Sequence, residues 1–254
     1  MNDTIFHHPS FQNCNGQLLV SLIAGSTLYG LNNKDSDVDY RGIFLATDQK
    51  YTTGFDTIES ICQTGDVDST YYELLRYLKL LRKSNTQVLE ILFAEDSDYN
   101  FTTPIFDEIR ANRYSLIDTH ILKASLKGYV YSEIKLATGQ RTGRLGGKRK
   151  EALDRNGYSP KNMVQLLRLC EVGRVFFTEG LYMVKVKDFN PKMHEVLMEI
   201  KNHPENFTCD QLSHMVDVQF KKLEEVMESS LVSFNFNVDL ASDIVIRARE
   251  RYKL

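Results

Sequence analysis

Between residues 24 and 39 the chain reads AGSTLYGLNNKDSDVD, a Gly-Ser pair followed eleven residues later by Asp37 and then Asp39. On a strand, residues two apart project from the same face. Asp37 and Asp39 can then offer both carboxylates to one hard cation, provided Val38 points to the core. Mg²⁺ prefers carboxylates, water and substrate phosphates, and a pair of such ions stabilises both the attacking and the leaving oxygen of an in-line phosphoryl displacement. Gly25 lets backbone N–H groups approach a triphosphate closely. The Ser26 hydroxyl adds a donor if a helix starts there and presents its N-terminus. Gly30 allows the tight return. The plainer alternative makes Gly25 and Gly30 turn residues and residues 34–37 a solvated loop. An isolated Asp-x-Asp favours that alternative, and a Gly-Ser pair at the matched distance reverses the balance.

The elements that must position these residues come next. Residues 17–24, QLLVSLIA, form an apolar run that suits either a buried strand or a helix end with a turn behind it. Partial alternation from Val38 to Leu45 predicts a strand leaving the Asp37 region. Residues 51–66 read as loop and short strand. From Tyr71 onward Leu74, Leu75, Tyr77, Leu78 and Leu81 recur at helical spacing up to the break at residues 83–85. Further helices are expected at about 87–93 and 105–112. The second half is read as mostly helical, with helix-period patterns over 117–137, 160–179 and 212–231. Between the first two of these lies GQRTGRLGGKRK, residues 139–150, a Gly-rich basic loop without an acid.

Composition narrows the classes. With 254 residues the chain sits at the upper edge of a single domain, so one catalytic domain with a helical extension is as reasonable as two domains. Lys and Arg number 31 against 34 Asp and Glu, a net of −3, so any polyanion site must be local. Cys14, Cys62, Cys170 and Cys209 stand far apart with no C-x-x-C pair, which argues against structural zinc and a disulfide scaffold. The start lacks a basic, then apolar, leader and no apolar run reaches membrane-spanning length, so a cytoplasmic protein without a membrane segment is expected. Six His residues show no metal-ligand spacing, and neither a G-x-S-x-G elbow nor a P-loop occurs.

The segments GSTLYG and SDVDYRGIF resemble the signature of the DNA polymerase beta-like nucleotidyltransferase superfamily, whose core motif is Gly-Ser, a short helix, then Asp-x-Asp. Within it the chain is similar to a bacterial and phage branch of predicted nucleotidyltransferases, the YcgL-like group. Gly25-Ser26, Tyr29-Gly30 and residues 36–44 carry that similarity. DSTYYELLRYLKLLRKSN with the following LEILF, GYSPKNMVQLLRL and SSLVSFNFNVDL resemble later segments of that group, so the likeness runs from about Leu18 to Leu240. Departures exist: where the branch commonly has His after the Lys and again three residues on, Asn162 and Gln165 stand here, and the Pro expected after Leu231 is missing.

The resemblance implies an α/β (α+β) catalytic core over residues 1–115, a small mixed sheet with flanking helices. A mainly helical region over 116–254 would close one side of a cleft. It implies transfer of a nucleoside monophosphate from an NTP to a hydroxyl, RNA 3′ ends being one acceptor class, with Mg²⁺ or Mn²⁺ on Asp37 and Asp39 and phosphates on Gly25 and Ser26. A third carboxylate is expected from a later strand: Asp68 is the best positional match, Asp66 the competitor, and either Asp could instead cap the helix that follows. Lys148 in the basic loop, with Arg141, Arg144, Arg149 and Lys150 around it, is a candidate for triphosphate or nucleic-acid backbone, or else a solvated connection. Lys161 and Arg168, seven residues apart, face the same way and are candidates for clamping phosphate, or for a helix-surface ion pair with Glu171 or Glu151. From other functional classes, a non-catalytic nucleotide or RNA sensor and a protein-interaction module remain open.

Overall fold

A computed structural model describes residues 4–34, 36–65, 67–140 and 147–252. In chain order the elements are α1 (Pro9–Asn13), β1 (Gly16–Ala24), α2 (Gly25–Leu28), β2 (Asp39–Ala46), α3 (Gln49–Thr52), β3 (Ser60–Gln63), β4 (Asp68–Glu73), α4 (Leu74–Arg82), α5 (Thr86–Phe93), β5 (Tyr99–Thr102) and α6 (Pro104–Ala111). There follow α7 (Thr119–Ala137), α8 (Gly147–Asn156), α9 (Pro160–Glu179), α10 (Pro191–Asn202), α11 (Cys209–Ser229) and α12 (Val238–Arg251). This is the expected α+β class. Among the described residues no helix is long and apolar enough to cross a membrane.

The 5-stranded sheet runs β3-β4-β2-β1-β5. β1 is antiparallel to both β2 and β5, β2 is parallel to β4, and β4 is antiparallel to β3. The apolar run at 17–24 therefore resolves as the strand β1, buried from Leu18 to Leu22 because it lies between two neighbours. Ile5, Phe11, Cys14, Phe44, Ala46, Ile61 and Tyr71 pack as one core cluster against one face of the sheet.

The helix expected from Tyr71 begins only at Leu74; Tyr71 and Tyr72 belong to β4. Their alternating burial is that of a strand, and the Glu73 carboxylate ends it by capping α4, accepting from the Leu75 N–H at 2.7 Å. The cap of α4, for which the sequence offered Asp66 or Asp68, is supplied by Glu73. Residues 147–150, expected as loop, open α8.

The chain divides into two compact units, Met1–Leu122 with Phe234–Leu254, and Lys123–Ser233. The C-terminal segment returns to the first unit, a long-range feature that local periodicity does not encode. The Thr119 N–H donates to the Phe234 carbonyl at 3.0 Å, the Asn237 N–H to the Ser115 carbonyl at 2.8 Å, and Arg247 of α12 pairs with Glu108 of α6. The second unit is built on α9 and α11. From Asn162 to Phe177 nearly every residue of α9 is buried, which accounts for an apolar pattern all round that helix.

Candidate functional site

Three strand ends meet at one end of the sheet in the first unit. Ala24, the last residue of β1, lies opposite Asp39, the first of β2, and Asp39 lies beside Asp68, the first of β4. Adjacent strands stand about 4.8 Å apart, so the two aspartates leave neighbouring positions on one edge. The Asp68 carboxylate accepts from the Gly65 N–H at 3.2 Å and is otherwise exposed.

The turn after β1 is made by Gly25 at φ 63°, with α2 starting on it. Two features demand glycine there. The positive φ is one, and the other is a close approach: a Cβ at position 25 would stand 2.1 Å from Asp39 Oδ2 and 3.2 Å from its Cγ. The Asp39 carboxylate therefore lies directly against the glycine turn. Ala24, the residue before α2, gives that helix no side-chain cap. Gly30, at φ 67°, turns the chain back, and the Leu31 N–H donates to the Ser26 carbonyl at 2.8 Å.

Asp37 differs from the expectation. β2 begins at Asp39, so Asp37 lies in the irregular segment before it, and Val38 is 41% exposed rather than directed to the core. The strand alternation that would align the two carboxylates does not extend to residue 37. The pairing across strands, Asp39 with Asp68, replaces the pairing along one. Asp66 lies outside the described residues.

A buried ionic network braces this end of the sheet. Tyr29, which ends α2, donates its hydroxyl to Glu90 Oε2 at 2.6 Å, and the Arg41 guanidinium donates to the same oxygen at 3.1 Å. Glu90 is on α5 and fully buried; Arg41 is on β2, two residues past Asp39 and so on its face. Burial alone would lower the Arg41 pKa, but Tyr29 and Glu90 outweigh it and hold the guanidinium charged above its ordinary range. Burial also pushes up the Tyr72 phenol, against the opposing pull of Arg41. Sequence reasoning passed over Arg41 and Glu90 as functional residues. The one signal for Glu90 was a lone charge inside the apolar run VLEIL.

Among the described residues no group of three or more His, Cys, Asp or Glu is gathered to hold a metal ion. The pair that is present, hard oxygen donors on Asp39 and Asp68 beside a glycine cradle, fits Mg²⁺. That ion keeps several waters and is held by one or two carboxylates plus substrate phosphates rather than by an all-protein cage.

The remaining candidates belong to the second unit. Lys148 opens α8, its side chain outside the described part, as are Arg141 and Arg144. Lys161 is exposed on the first turn of α9 and close enough to Lys201 that, after burial, its charge helps to lower the Lys201 pKa. Arg168 is 0% exposed, with its Nε donating to Gln165 Oε1 at 3.1 Å, so it is no helix-surface cation. Glu171 pairs with Arg174 at 2.7 Å and also accepts from Asn190. Lys161 and Arg168 share a side of α9, but the helix enters the core after its first turn, and their surroundings differ accordingly.

The mixed sheet, the glycine turn and the strand-borne aspartates agree with the DNA polymerase beta-like nucleotidyltransferase expected from the sequence. Residues 8–132, which span the sheet, match the model of RlaP, the RNA repair pathway DNA polymerase beta family. No curated protein matches the chain. Among solved structures, the nucleotidyltransferase-like protein from Exiguobacterium sibiricum 255-15 is similar at 9% identity, over 96% of this chain and 79% of that one, with a TM-score of 0.34.

Proposed function

We propose that the chain transfers a nucleoside monophosphate from an NTP to a hydroxyl of RNA, at its 3′ end, and releases pyrophosphate. The observation that carries this reading is the contact of the Asp39 carboxylate with the Gly25 turn, beside Asp68. In this reading the backbone N–H groups of Gly25 and Ser26 and the Ser26 hydroxyl meet phosphate oxygens, and the absence of a Cβ at 25 keeps that approach open. Asp39 and Asp68, joined by Asp37 from the segment before β2, hold Mg²⁺ or Mn²⁺. When bound, the ion neutralises phosphate charge and makes the attacking hydroxyl more acidic. Lys148 and Lys161, in the second unit, keep the phosphate-binding candidacy read from the sequence, and Arg168, fully buried, loses it.

RNA is favoured as acceptor by the description of the matching family and by the basic run Arg141, Arg144, Lys148, Arg149 and Lys150 in an otherwise acidic chain. The test is incubation with each labelled NTP, Mg²⁺ or Mn²⁺, and RNA, DNA or protein as acceptor. Labelled RNA supports the reading, and label on protein or a small molecule overturns its acceptor. Nucleotide binding without transfer would identify a non-catalytic module. Neutralising Lys148, Arg149 and Lys150 together should flatten the salt dependence of RNA binding by roughly two to three phosphate contacts.

A further inference from the structure

We infer that Glu90 is a positioning residue, whose single carboxylate oxygen fixes the glycine turn against the aspartate strand. The inference deepens the functional reading above and rests on it. α2 has four residues and no side-chain N-cap, too few to persist alone, since one helical turn costs more in ordering than its bonds return. Something outside it must hold it. Its C-terminal end is held by Tyr29, whose hydroxyl reaches Glu90 Oε2 at 2.6 Å. β2 is held to the same oxygen by Arg41 at 3.1 Å. One atom on α5 therefore bridges the element that begins at Gly25 and the strand that begins at Asp39.

The geometry it sets is the tight one of the site. Gly25 and Asp39 Oδ2 are so close that even a methyl group would not fit between them, and shifting α2 by a fraction of an ångström changes that contact. Charge explains why an acid is used. A partly buried Arg on a strand needs a counter-charge, and a carboxylate can take the Arg and the phenol together, whereas an amide oxygen would leave the guanidinium uncompensated. Glu90 touches neither phosphate nor acceptor in the functional reading. It acts through Tyr29 and Arg41.

The test uses Tyr29→Phe, which removes one arm of the bridge and keeps the buried ion pair, and Glu90→Gln, which keeps the shape and removes the charge. Hydrogen exchange of the Tyr29, Gly30 and Leu31 amides, bonded to the carbonyls of Gly25, Thr27 and Ser26, reads the turn directly in the nucleotide-free protein. Expected for Tyr29→Phe is exchange at those amides faster by about tenfold, with the β1 and β2 amides unchanged. The Mg²⁺ concentration for half-maximal transfer should rise, kcat should fall by about tenfold, and KM for the acceptor should stay the same. The double variant should be no slower than Glu90→Gln alone, because both act through one bridge.

Unchanged exchange at those amides in Tyr29→Phe overturns the inference whatever the protein's activity. Faster exchange with kcat and Mg²⁺ dependence unaltered also overturns it, leaving a purely structural bond. Should Glu90→Gln fail to fold, Tyr29→Phe alone still decides. A wild-type protein that transfers no nucleotide, while Tyr29→Phe still loosens the turn, contradicts the functional reading and leaves the bridge as a structural link.

Discussion

The sheet end of the first unit and the middle of α9 in the second place their carboxylates in opposite circumstances. In the first, Asp37 and Asp68 are exposed, and Asp39 is half-buried, where strands end and the backbone turns through glycine. In the second, the polar groups of α9 are drawn into the fold. Asn162 accepts from Ser159 at 2.7 Å, Glu171 is gripped by Arg174 and Asn190, and Arg168 is fully buried. A carboxylate facing solvent at a strand end can be reached by a cation, while one enclosed by helices has its donors already assigned. Solvent access, rather than charge itself, distinguishes the candidate site from a buried ionic cluster.

Substitution at the two places should break that comparison in opposite directions. The largest effect is expected for Asp39→Asn, which should lower transfer by at least about a thousandfold while stability moves by no more than about 1 kcal/mol, measured by single-turnover kinetics and denaturant unfolding. Glu171→Ala should do the reverse. With the half-buried Asn190 amide and Arg174 stripped of their buried acceptor, it should cost about 1–3 kcal/mol of stability and leave kcat within about twofold. A Glu171→Ala protein that folds normally but cannot transfer would remove the distinction between the units.

Gly25→Ala sharpens the same comparison at intermediate size. The added methyl meets Asp39 Oδ2 and the residue must hold a positive φ. NTP affinity should therefore fall by at least about tenfold, alongside a stability loss of about 1–2 kcal/mol. Equilibrium binding of labelled NTP checks it, and normal affinity would remove the glycine turn from the site.

The core motif was legible because its constraints are local. A glycine needed for a left-handed turn and acids at a fixed distance can be read along the chain: Gly25 takes a φ of 63°, Ser26 lies in α2 and Asp39 opens β2. Asp68 became legible only through family likeness, since the parallel pairing of β2 with β4 joins positions 29 residues apart, 68 minus 39, with β3 between them. The Tyr29, Glu90 and Arg41 bridge was hidden for a similar reason: Glu90 lies 61 residues from Tyr29 and 49 from Arg41. The start of β4 was misread because Tyr71 and Tyr72 fit the apolar spacing of the helix that follows. The C-terminal return was missed because the hydrogen bonds of Phe234 and Asn237 reach back more than a hundred residues.

The smallest effect concerns Glu73, whose carboxyl is pushed above its ordinary pKa by burial, with hydrogen bonds from Leu75 and Arg76 opposing. A raised folded-state pKa means that the folded protein binds the proton more readily than the unfolded chain. Stability should therefore be greatest below the unfolded-state pKa and decline as pH rises through the window up to the folded value. Glu73→Gln should flatten that part of the stability profile by a few tenths of a kcal/mol while keeping an oxygen for the Leu75 N–H. Thermal unfolding across pH 4 to 7 reads the difference.

The most direct test of the sheet-end site follows the fate of the two ends of the nucleotide. With Mg²⁺ and an RNA acceptor, wild-type protein given NTP labelled at the α-phosphate should place label on the RNA. NTP labelled at the γ-phosphate should yield labelled pyrophosphate only, and Asp39→Asn should do neither. Label from the γ-phosphate appearing on RNA, or α-label transfer that persists in Asp39→Asn, would contradict nucleotidyl transfer at the Gly25–Asp39 contact.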